Sequence, residues 1–152
     1  MASADMFLMI KGIQGEETEP KNAIRIESWS WGETGGQGKG KVHMDDLHVQ
    51  MKVNGASPKL LEYCATGKPI DDATLTCREA GTGQKPYLDI KLLNCRVSFF
   101  HSSADASSSI AMDRFSLSFE KIEYTYKLPG AKKLRDGGNV GAKYDLTKWN
   151  TY

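Results

Sequence analysis

Apolar and polar side chains alternate along most of this chain. Leu47, Val49, Met51 and Val53 are separated by His48, Gln50 and Lys52, a period of two that predicts a strand with one buried face. Leu75 and Cys77 alternate with Thr74, Thr76 and Arg78 in the same way. Further on the parity changes. Leu88, Ile90 and Leu92 line one face, then Leu93, Cys95, Val97 and Phe99 line the other. The switch recurs where Phe115, Leu117 and Phe119 give way to Ile122, Tyr124 and Tyr126. Changing the buried face midway requires an extra residue, a β-bulge, or passage of the strand from one sheet to another. Long strands of this kind suit a barrel or a tightly wrapped sandwich.

One segment has helical spacing. Ser57 is placed to cap it, Pro58 suits its first position and Gly67 its end, with Leu60, Leu61, Cys64 and Ala65 as the apolar stripe. Residues 81–86 (GTGQKP) predict the turn of a hairpin. Loops are expected at the glycine-rich residues 32–41, the serine- and alanine-rich residues 101–109, and residues 127–139. The last strand falls near residues 141–149, with no further domain expected after it. No repeat or linker divides the sequence, so residues 1–152 read as one mainly β domain with a single short helix.

A chain of 152 residues buries roughly 68–70% of its unfolded surface, so neither disulfides nor metal are needed to hold it. The longest apolar run, residues 6–10, falls far short of the ~20 residues of a membrane-spanning helix. Twenty Lys and Arg against 19 Asp and Glu give a net charge of +1. That lacks the basic excess of a nucleic-acid binder and leaves little repulsion between copies. Cys64, Cys77 and Cys95 are an odd set with no C-x-x-C, which reads as three small buried thiols in a protein that folds in a reducing compartment. The start, MASADMF, has neither the basic region nor the long apolar stretch of a secretory signal peptide.

Candidate chemistry is sparse. Gly35, Gly40 and Lys41 match the first seven positions of a phosphate loop, but Val42 replaces the hydroxyl residue and a strand follows where a helix is needed. His43, Asp45, Asp46 and His48 alternate on a strand, so at most two converge, against the three or four protein ligands zinc takes. There is no G-x-S-x-G, H-E-x-x-H or Cys–His signature, and Asp71 and Asp72 sit where a turn leads into a strand. Lys132, Lys133 and Arg135, followed by Asp136, read as a solvated loop. The distinctive feature is SWSWG at residues 28–32. It puts Trp29 and Trp31 on one face after Arg25 and Glu27, and Ser28 and Ser30 on the other, in line with Ile24 and Ile26. Paired tryptophans mark core or interface, and the small serines suit a face that meets water or a partner.

These residues carry a resemblance. Residues 6–15 (MFLMIKGIQG), SWSWG, the glycine loop leading into Gly40-Lys41-Val42, Asp46-Leu47, SPKL at residues 57–60, CATGK at residues 64–68 and LTCREAG at residues 75–81 are similar to the Hcp family. YLDI at residues 87–90 and YDL at residues 144–146 fit less tightly. The family comprises the haemolysin-coregulated proteins of the inner tube of the bacterial type VI secretion system. The resemblance implies two antiparallel sheets wrapped into a β-barrel with one helix, and hexameric rings that stack into a tube expelled by a contractile sheath with a spike at its tip. It also implies effectors held in the lumen, no catalytic residue, no metal and no cofactor. Residence would be cytoplasmic before export, which needs no signal peptide. By the same likeness Gly35, Gly36, Gly38, Lys39, Gly40 and Lys41 carry ring and stacking contacts. Ser30 faces the lumen and any effector in it, and Trp29 and Trp31 form a core or subunit face. The alternative is a β-sandwich binding carbohydrate, which requires both tryptophans to face solvent as stacking platforms.

Overall fold

A computed structural model describes residues 5–35, 43–79, 85–127 and 139–148. The first half of the chain supplies β1 (Asp5–Ile10), β2 (Ile24–Arg25), β3 (Ser28–Ser30), β4 (Glu33–Thr34), β5 (His43–Met44) and β6 (Leu47–Lys52), followed by α1 (Ser57–Thr66). The second half supplies β7 (Ile70–Arg78), β8 (Pro86–Ser103), β9 (Met112–Ser118), β10 (Lys121–Lys127) and β11 (Asn139–Asp145). Every described pairing is antiparallel. One ladder runs β2-β1-β7-β8-β9-β6-β3, with β10 on β8, β11 on β10, and β4 and β5 as a separate ribbon. The expected hairpin of β7 and β8 is present, although most of its turn lies outside the described residues.

The ladder is two sheets that share β8. The first half of β8 pairs with β7 and β10, and its second half with β9. The changeover falls at Asn94, whose φ of 55° is a left-handed conformation that asparagine tolerates. Leu88, Ile90 and Leu92 are buried before it, Cys95 and Val97 after it. The chain crosses back beside this point, at Phe119 and Glu120 between β9 and β10. Glu120 donates its N–H to the Leu93 carbonyl at 3.0 Å, and Asn94 Nδ2 donates to Glu120 Oε2 at 3.0 Å. Both parity changes seen in the sequence are therefore passages between sheets, made at one level.

Two expectations are corrected here, and a third is met only in part. A second register shift, between Val97 and Phe99, turns Phe99 outward to 49% exposure and brings Phe100 against the core instead. A third passage between sheets separates β2 from β3. Ile24 and Ile26 are buried, yet past Glu27 it is Trp29 and Trp31 that pack against the core, so Ser28 and Ser30 do not share a face with the isoleucines. Closure into a barrel is not recorded: among the described residues β2, β3 and β11 each pair with one neighbour only. The sheets meet instead through side chains, such as Trp31, whose ring centroid lies 6.3 Å from that of Tyr124 on β10.

Helix α1 lies where it was expected, with Pro58 in its first turn and Gly67 ending it at φ 68°, its N–H donating to the Tyr63 carbonyl. Ser57 does not cap it. The cap position is Ala56, because the Ser57 hydroxyl is committed to Asp113 on β9. The buried face is Ser57, Leu60 and Tyr63, whereas Leu61 is 56% exposed and Ala65 is exposed. Tyr63 displaces the expected stripe because its ring is an apolar surface with a polar tip. Strand β8 runs to Ser103, into the expected loop at residues 101–109, and β11 starts two residues early at Asn139 and stops at Asp145.

Cys77 and Cys95 are buried and Cys64 is half-buried, all as free thiols. Burial pushes the Cys95 thiol up to about 12 and raises Cys77 as well. A thiol that holds its proton longer in the fold than in the unfolded chain stabilises the fold below the unfolded value of about 9, and loses that contribution as pH rises towards the folded value. Stability to urea is accordingly expected to fall between about pH 9 and pH 12. The decline should be shallower in Cys95→Ala, and parallel curves for the two proteins would contradict the assignment.

Candidate functional site

The second sheet (β3, β6, β9 and the end of β8) turns a polar face outward. Alternation decides which side chains it presents, and the register aligns them across strands. Ser30 stands opposite His48, His48 opposite Ser116, and Ser116 opposite Phe99. The next row is Ser28, Gln50, Arg114 and His101. The surface is hollow, enclosing a volume of about 560 Å³. Ser28 Oγ donates to Gln50 Oε1 at 3.2 Å, and His48 Nδ1 and Ser116 Oγ share a hydrogen bond of 2.7 Å. At the margin Ser98 Oγ donates to Asp46 Oδ2 at 2.6 Å, and the rings of Phe99 and His101 stack at 6.3 Å.

Ser30 sits on this face and is exposed. Trp29 and Trp31 lie on the opposite side, half-buried against the core, with the Trp31 Nε1 enclosed. Neither ring is offered flat to solvent, so the carbohydrate reading loses its platforms. Gly35 is exposed at the end of the β4–β5 ribbon, where Glu33 faces Met44 and Thr34 faces His43. Gly36, Gly38, Lys39, Gly40 and Lys41 lie outside the described residues. Glycine content marks residues 32–41 as a loop but gives no sign of the β4–β5 pair at its base, because each of those strands is only two residues long.

His48 with Ser116 is a pair that sequence reasoning missed, since 68 residues separate them and no motif links them. A nucleophilic serine needs a histidine oriented by a third group. Here His48 has no carboxylate hydrogen bond among the described residues, and Ser116 is only 4% exposed, so the pair fastens β6 to β9. His43 lies 3.4 Å from Asp45, while Asp46 is taken by Ser98. No cluster of three or more metal-ligating side chains occurs among the described residues. No described helix is long and apolar enough to cross a membrane.

Among the described residues, two antiparallel sheets sharing a strand, a single helix and a hollow polar face define a small, mainly β protein. The sequence profile described as "Type VI secretion system effector, Hcp" matches residues 7–126. The chain is 31% identical to Protein hcp1 of Pseudomonas aeruginosa, an alignment covering 97% of this chain and 95% of that protein. The crystal structure of Hcp1 from Salmonella typhimurium superposes with a TM-score of 0.83 at 30% identity, over 100% of both chains. A type VI secretion system effector from Yersinia pestis matches with a TM-score of 0.78 at 26% identity, over 93% of this chain and 99% of that one. This chain belongs to the Hcp family of type VI secretion proteins.

Proposed function

We propose that this chain is a tube subunit of a type VI secretion system. Its copies close into hexameric rings, the rings stack into a tube, and the lumen holds effector polypeptides during export. The observation that supports this reading is the likeness to Salmonella Hcp1 over 100% of both chains. A wall subunit works through the shape of its whole surface, so a likeness confined to a core would say less. The role is structural, with no cofactor. The sheath surrounds the tube and the spike caps it. The subunit resides in the bacterial cytoplasm until firing and is then exported.

A closed ring needs a heterologous interface, one patch of each copy meeting a different patch of the next. Strands β2, β3 and β11, each with one described neighbour, are edges that a ring covers, and the barrel-like wrapping expected of the subunit is completed in that setting. The ribbon of β4 and β5 carries the loop of Gly35, Gly36, Gly38, Lys39, Gly40 and Lys41 towards a neighbouring copy. Ser30 borders the lumen, with Trp29 and Trp31 stiffening the wall behind it.

Electron microscopy of the purified protein tests the reading: hexagonal rings are expected, with stacking only at high concentration. Light scattering that finds a lone monomer at ordinary concentrations would overturn it. Within that frame, bulky residues at Gly38 and Gly40 are expected to shorten or abolish tubes while leaving rings intact. Rings that dissociate would assign the loop to the closure interface instead.

A further inference from the structure

Several cations on the sheet surfaces are neutralised in place, although the Arg78 Nε on the first sheet is enclosed without a hydrogen-bond partner among the described residues. Arg25 pairs with Asp5 at 2.8 Å and Glu17 at 2.9 Å, and Lys127 pairs with Asp89 at 2.7 Å. Two guanidiniums, those of Arg25 and Arg78, also cover the ring of Phe7 at 4.9 Å each, leaving it 1% exposed. On the second sheet Arg114 lines the hollow, is exposed, and has no partner among the described residues. Its cross-strand neighbours are Gln50 and His101. Two carboxylates border this face, and both are engaged: Glu27 pairs with Lys52 at 3.7 Å, and Asp46 accepts from Ser98. Asp46 lies four residues along the chain from Gln50, roughly 13 Å away in extended geometry, and makes no ion pair with Arg114. Beside the guanidinium stands the stacked pair of His101 and the half-exposed Phe99.

We propose that Arg114 and Phe99 in this hollow, with His101 stacked on Phe99 at its edge, form a recognition site for an acidic segment of a cargo polypeptide. A guanidinium presents a planar fork of donors that matches a carboxylate through two parallel hydrogen bonds. Gln50, whose Oε1 already accepts from Ser28, keeps its amide N–H groups available to the same anion. The aromatic pair supplies an apolar seat for the side chain next to the carboxylate. This assignment rests on the tube reading for the source of the ligand, and it names the chemistry selected at that surface.

The test uses the full-length protein and two fluorescein-labelled peptides of equal length, one alternating Glu with Leu and the other Gln with Leu, with binding read by fluorescence anisotropy. The Glu peptide is expected to bind about tenfold tighter or more. Arg114→Gln should remove that preference, and Arg114→Lys should restore only part of it, since it keeps the charge without the fork. Equal binding of both peptides to the unaltered protein, or a preference that survives Arg114→Gln, overturns the proposal. Should Arg114→Gln fail to fold, the two peptides on the unaltered protein decide alone. Rings without a Glu preference would overturn this proposal and leave the tube reading intact, whereas absence of rings counts against that reading whatever the peptides do. A change in tube length with Arg114→Gln, with peptide preference unchanged, would assign the hollow to a second copy of the chain and also overturn the proposal.

Discussion

Replacing Gly15 with alanine is expected to destabilise the fold by about 2–4 kcal/mol, more than a surface methyl group ordinarily does. A β-carbon at this position would lie 2.2 Å from the Ala23 carbonyl oxygen, 2.5 Å from its carbon and 2.7 Å from the Ile24 nitrogen. These are backbone atoms, so no rotamer change relieves the overlap. The approach is held by a short set of hydrogen bonds, Gly15 N–H to the Asn22 carbonyl at 2.9 Å and Glu17 N–H to the Ala23 carbonyl at 3.1 Å. Moving residues 23 and 24 away displaces two fully buried side chains and the pairing of β2 on β1, where Leu8 faces Ile24. Urea unfolding followed by circular dichroism measures the change. Gly35→Ala is the control: a β-carbon there meets nothing within 4 Å among the described residues, so stability should shift by no more than about 0.5 kcal/mol. Equal midpoints for Gly15→Ala and the unaltered protein would contradict the geometry.

Ser57→Ala is expected to cost about 2–3 kcal/mol, although serine to alanine on a helix surface is nearly neutral. Asp113 is 0% exposed, and the hydroxyl of Ser57 donates to its Oδ2 at 2.5 Å while accepting the Asn54 N–H at 3.0 Å. Removing the hydroxyl strands a buried carboxylate oxygen and a backbone donor together. The double variant Ser57→Ala with Asp113→Ala should recover part of the loss, because it removes the orphaned carboxylate and leaves only the Asn54 N–H without its acceptor. A double variant whose cost equals the sum of the two single costs would mean that the hydroxyl and the carboxylate do not depend on one another. The same contact accounts for the misplaced helix cap: a hydroxyl bound to a strand from a distant part of the chain is not free to hold the helix's own first N–H groups.

Most of the strand content was readable because alternation is local. A side chain's face follows from its neighbours two residues away, so β6 and β7 were legible from the pattern alone. The two parity changes near residues 93 and 119 also showed as breaks in that pattern. The passage after Ile26 did not, because β2 and β3 are only two and three residues long, too short to establish a parity before losing it. Phe99 was misassigned for a related reason, since a register shift depends on the partner strand β9. At the candidate site, Ser30 and the tryptophans announced themselves through SWSWG. Arg114 did not, because its proposed role comes from standing next to Gln50 and His101 on other strands and from making no ion pair among the described residues.

Sequence alone therefore determined the β class, the helix and its glycine end, the near-neutral charge and, through SWSWG, CATGK and LTCREAG, the family. Each of these is a property of neighbouring residues or of composition. Only the tertiary structure decided that β8 is shared between two sheets, that Asp113 and Ser57 meet in the interior, and that one outer face keeps a guanidinium unpaired in a hollow. Those outcomes depend on register and on contacts between distant segments, which are settled when the strands pack together and leave no local pattern in the sequence.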